Sequence, residues 1–95
     1  MKYRTKQYAV KAFPITKESL QDVSNWPEWF LNAIKKRSDL EGAIWLGPLD
    51  KTVLSIREKY EVVSLHYGDY VLISVTGEII GLREEYFNLH YEKVD

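Results

Sequence analysis

Two histidines, His66 and His90, one aspartate after a glycine, Asp69, and the adjacent acids Glu84 and Glu85 could move protons or hold a metal ion. Imidazole shuttles protons and ligates metals near neutral pH. A carboxylate can act as a general base where it faces a substrate. Each of these residues also has a structural role open to it. A metal site built on the two histidines needs further ligands from acids, and both sit among aromatic residues at expected strand edges. Neighbouring helical residues diverge, so Glu84 and Glu85 are expected on a solvated face rather than around one substrate. An aspartate after glycine caps its own turn through the backbone, the role expected of Asp69. There is no cysteine, which excludes disulfides and thiolate chemistry. Neither a nucleophile elbow, a phosphate loop nor a dinucleotide fingerprint occurs. These residues nominate no reaction, and the chain is read as a non-enzyme without a cofactor.

Aromatic residues are the richer signal. Three tryptophans and seven tyrosines exceed what a small core takes up, and exposed Tyr and Trp are favoured at interfaces. Trp29 and Phe30 are core by spacing, whereas Trp45, Tyr67, Tyr70 and Tyr91 are candidate contact residues. Residues 1–17 carry Lys2, Arg4, Lys6, Lys11 and Lys17 and no acid, while residues 78–95 carry five acids against Arg83 and Lys93. The two ends could pair as strands of opposite charge. Alternatively Lys2, Arg4 and Lys6 could hold phosphates while a tyrosine or Trp45 stacks a base. With Asp69 at the Gly68-Asp69 corner, these residues make up the candidate binding set. A net charge of −1 disfavours nucleic acid.

The elements that must position these residues follow from patterning. A length of 95 residues fits one domain, 1–95, and no repeat, linker or low-complexity tract interrupts it. "YRTKQYAVKAF" reads as a strand over about 3–13, and "TKESLQDV" as a short helical turn at best. Trp26, Trp29, Phe30, Ala33 and Ile34 fall on one helical face, giving an amphipathic helix over about 26–37. Asn25 and Glu28 suit a capping box, and Pro27 is tolerated in the first turn. "AIWLG", "TVLSIR", "YEVVSL", "YVLISV" and "EIIGL" read as strands. "YVLISV" is expected in the sheet centre because it is too apolar to face water on either side. Thr76-Gly77 turns a hairpin whose glycine takes positive φ. "REEYF" can form one helical turn before "LHYEKV" closes the sheet.

Several short motifs, in their order, resemble a family of small uncharacterised proteins encoded by phages and prophages. These are "KYR" at 2–4, "VKAF" at 10–13, "PEWF" at 27–30, "GDY" at 68–70, "GE" at 77–78, "YF" at 86–87 and "YEKV" at 91–94. Two departures stand out. Tyr67 occupies the family's proline before the Gly-Asp corner, and Gly81-Leu82-Arg83 replaces its Cys-Lys-Pro. The resemblance implies a phage context and a fold, and transfers no catalytic residue.

Together these readings predict an α+β domain: a bent antiparallel sheet of five or six strands, packed on one amphipathic helix, with the first and last strands paired. The expected role is stoichiometric binding of a host protein together with self-association, as a homodimer. The alternative is capture of a small phosphate-bearing ligand such as a nucleotide signal in an oligomer cleft. No apolar run approaches the roughly 20 residues that cross a bilayer, and "MKYRTKQYAV" lacks the apolar core of a signal peptide. The expected location is the cytoplasm of a bacterial host cell.

Overall fold

The computed structural model describes residues 2–4, 9–47 and 53–93. Among them the chain runs β1 (Lys2–Arg4), β2 (Ala9–Pro14), α1 (Lys17–Gln21), a 3₁₀ turn (Val23–Asn25) and α2 (Glu28–Lys35). It continues through β3 (Ile44–Leu46), β4 (Leu54–Arg57), β5 (Val62–Leu65), β6 (Tyr70–Ile73), β7 (Ile79–Leu82), α3 (Glu84–His90) and β8 (Glu92–Lys93). The α+β class holds, and every strand pair is antiparallel. The expected single sheet is two: five strands in the order β7-β6-β2-β1-β8, and three in the order β3-β4-β5.

Period-two alternation decides what each face of the larger sheet buries. Ala12 pairs with Leu72, and Phe13 with Val71. Ala12 and Leu72 form one core with Phe87 of α3. Phe13 and Val71 face the other way, into a core with Phe30, Ala33, Ile44, Leu54, Ile56 and Leu65. The larger sheet is therefore covered on both faces, by α3 on one and by α2 with the smaller sheet on the other. This is why the segment at 70–75 could be so apolar: Val71 and Leu72 are both buried, on opposite faces. The centre of the sheet is nevertheless β2, because β1 and β8 add beyond it.

Three other expectations need correction. The strand read over 3–13 is a pair, with Tyr3 opposite Val10; the connecting residues 5–8, Lys6 included, lie outside the described residues. α2 is shorter than 26–37. Pro27, at φ −61° and ψ 153°, precedes the first turn, and no side chain caps it. Asn25 belongs to the 3₁₀ turn and donates to Asp22 instead. The capping box belongs to α1, where Thr16 Oγ1 accepts from the Ser19 N–H and Ser19 Oγ from the Thr16 N–H, each at 2.9 Å. Finally, α3 runs from Glu84 through His90 rather than for a single turn, and β8 follows at Glu92–Lys93.

Other expectations are met. The first and last strands pair, placing Arg4 across from Glu92. On the apolar face of α2 Phe30 and Ala33 are buried and Trp29 is partly buried. Phe30 stacks on Phe13 at 4.1 Å between centroids and takes Trp26, which precedes the helix, edge-on at 5.1 Å. Gly77 has φ +90° in a hairpin closed by the Ser74 N–H donating to the Glu78 carbonyl at 2.9 Å.

Candidate functional site: a cleft between two sheet edges

The two sheets meet where β7 crosses the smaller sheet, and a glycine permits the contact. A Cβ on Gly81 would lie 2.7 Å from Leu65 Cδ1 and 3.0 Å from Ile56 Cδ1. Beside this crossing, β5 and β7 are both outermost strands. Between them opens a cleft of about 670 Å³ whose lining includes Glu58, Glu61, Val62, His66, Arg83 and Tyr86.

The two edges differ in one respect. In β7, Gly81 points its N–H away from β6, and the Glu58 carboxylate accepts it at 3.0 Å. In the turn that leads into β5, the Glu58 N–H donates to the Glu61 carbonyl at 2.8 Å. Bonded pairs alternate along an antiparallel ladder, so the next ones are Ile56 with Val63 and Leu54 with Leu65. Val62 and Ser64 therefore turn their N–H and C=O groups outward. Native edges are commonly blunted by proline, lysine or a bulge. Here "VVSL" offers neither proline nor lysine, and Val62 is 42% exposed.

The candidate residues read from the sequence fall in several places. Asp69 is buried, and its carboxylate is occupied by backbone: Oδ2 accepts the His66 N–H at 2.9 Å and Oδ1 the Glu84 N–H at 3.0 Å. It caps its own turn, as expected, and also the first turn of α3. His66 Nδ1 stands 3.7 Å from Asp69 Oδ2, which places this turn at the cleft's His66 end. Tyr67 is exposed, with the Lys17 ammonium 6.0 Å from its ring.

Tyr70 and Tyr91 come together around Phe87, in parallel stacks with centroid distances of 3.8 and 4.9 Å. Their rings thus serve the smaller core as half-buried packing. Burial, followed by the charge on Tyr86, holds the Tyr91 phenol above its ordinary value of 10.0. Trp45 stands apart in β3, with the Arg57 guanidinium 6.0 Å from its ring. Lys2 and Arg4 lie on β1, separated from the cleft edge by β2, β6 and β7.

The cleft residues Glu58, Glu61, Val62, Arg83 and Tyr86 were not singled out from sequence. The available signal was Val62 and Ser64 sharing one strand face beside a glycine strand, and it needs the topology to become meaningful. Among the described residues, no three His, Asp or Glu side chains converge as metal ligands, and no helix is long and apolar enough to cross a membrane. Comparison with protein-family models, curated proteins and solved structures finds no match to this chain.

Proposed function

We propose that this chain acts by stoichiometric binding, as a phage-type accessory protein that self-associates and engages a host protein through the cleft and its rim. The observation that carries the reading is the contrast between the two kinds of polar group at this site. The buried carboxylate best placed for chemistry, Asp69, has both oxygens accepting backbone amides, whereas the outward amides and carbonyls of β5 are open to a partner. An added strand obtains affinity from main-chain hydrogen bonds and specificity from flanking side chains. Tyr86, exposed at the rim, and Arg83 beside it are residue types that dominate protein interfaces.

The test is assembly from purified components. A host protein recovered on tagged chain is identified, produced separately and mixed with it, and the complex is weighed by native mass spectrometry. A fixed integral ratio, lost with Arg83→Glu and Tyr86→Ala, is the expected result. A product accumulating beyond one equivalent per chain overturns the reading. A panel of nucleotides in thermal shift serves as the other arm. A stabilisation that disappears with Trp45→Ala would transfer the function to capture of a phosphate-bearing ligand.

A further inference from the structure

We infer that the first occupant of the β5 edge is β5 of a second copy of this chain, paired antiparallel about a two-fold axis through Val63. The inference rests on the binding reading above and names the partner and register at the same cleft.

The register follows from which groups are open. Two-fold antiparallel pairing must bring outward residues opposite outward residues, and in β5 these are Val62 and Ser64. Sliding the register toward the C-terminus, with Ser64 opposite itself, requires the N–H of His66. That group already donates to Asp69 Oδ2 at 2.9 Å. Sliding it toward the N-terminus, with Val62 opposite itself, requires extended backbone at Tyr60, which lies in the bend between β4 and β5. The remaining register sets Val62 of each copy against Ser64 of the other. It joins the two three-stranded sheets into one of six strands.

Side chains and charge favour the same occupant. In this register the exposed side chains of Val62 and Ser64 lie opposite one another on one face of the joined sheet, and cross-strand neighbours there stabilise one another. An isologous contact repeats each pairing twice. The cleft is acidic at its Glu58–Glu61 end, while Arg83 and His66 line it too. Antiparallel pairing carries Glu61 of each copy toward the His66 end of the other, where Arg83 follows β7. A hetero-partner would need this same polarity, which a second copy has by construction.

The chain has no cysteine, so introduced thiols report on the register directly. In the proposed pairing Val63 faces Val63 across a non-hydrogen-bonded position. The Cα atoms there are about 4.5 Å apart, within the range a disulfide spans. Under mild oxidation Val63→Cys is expected to form a covalent dimer at least tenfold faster than Ser64→Cys. Sedimentation equilibrium of the unmodified chain is expected to give the dimer mass. Val62→Pro removes only an outward N–H, a position where edge strands tolerate proline, and is expected to give a folded monomer. Glu61→Arg and Arg83→Glu should each weaken the dimer, and combining them should restore it.

A monomer at every accessible concentration overturns the inference. So does equal cross-linking of the two cysteine variants, or a dimer unaffected by Val62→Pro. A host complex of integral ratio formed by a monomeric chain would defeat the register proposal and leave the binding reading standing.

Discussion

The carboxylate of Asp69 reaches the backbone N–H of Glu84, fifteen residues along the chain, at 3.0 Å while its other oxygen holds the N–H of His66. One buried side chain thus closes the turn before β6 and starts α3, the helix that covers the second face of the larger sheet. Hydrogen bonds to a charged group contribute more than neutral ones, and a donor left unsatisfied carries its own desolvation cost. Asp69→Ala is expected to destabilise the fold by roughly 2–4 kcal/mol in urea unfolding, on these per-bond magnitudes. Asp69→Asn, which keeps one acceptor oxygen, should lose about half as much. Equal stability of all three proteins would show that the cap contributes nothing.

Gly81 is fixed by its neighbours rather than by its dihedrals. Leu65 and Ile56, which a Cβ would strike, are themselves fully buried, so neither methyl has free space to move into. Gly81→Ala should cost about 1–3 kcal/mol, the usual range for overpacking a filled core. Shortening the obstructing side chain with Leu65→Val is expected to be destabilising alone but to cost less in the Gly81→Ala background. A double-mutant cycle by chemical denaturation measures the difference. Strict additivity would exclude the steric account.

What was readable in the sequence divides along the range of the interaction. The face of α2 and the glycine of the β6–β7 hairpin are local patterns, and both are found as expected. The pairing of β1 with β8 was suggested by charge, with Arg4 indeed opposite Glu92. Asn25 is not the expected cap because its side chain donates to Asp22, the residue before a 3₁₀ turn that spacing alone does not reveal. α3 reads as one turn in the sequence because the group that caps its start, Asp69, lies in a different loop. The cleft was invisible for the same reason: an edge exists only once strand order is known, and nothing local marks β5 and β7 as outermost.

The three-ring stack explains why the C-terminal tyrosines are not simply surface residues. Phe87 is buried with Tyr70 on one side and Tyr91 on the other. Truncation to Ala removes a large apolar side chain and leaves a cavity between two flat rings, at an expected cost of about 3–5 kcal/mol. Phe87→Leu keeps most of the volume and should cost markedly less. Hydrogen exchange should show the loss concentrated in α3 and β6, whereas the smaller sheet keeps its protection. A uniform loss across both sheets would mean that the two cores unfold as one.

Ionisation of the Tyr91 phenol is expected to weaken this fold at alkaline pH. Burial, with the charge on Tyr86 as the lesser cause, raises its phenol above 10.0, so the folded state retains a proton that the unfolded chain releases. Where the unfolded state binds fewer protons, stability falls as pH rises. The contribution is therefore complete below pH 10.0, the ordinary value, and declines as pH climbs through it toward the raised value. Tyr91→Phe keeps the ring on Phe87 and removes the ionisable group. The variant is expected to match the parent near neutral pH and to lose less stability above pH 10.0. Paired denaturation curves across that range, with tyrosinate absorbance recorded alongside, provide the measurement. If the two proteins lose stability in parallel through the alkaline range, Tyr91 is not the group responsible.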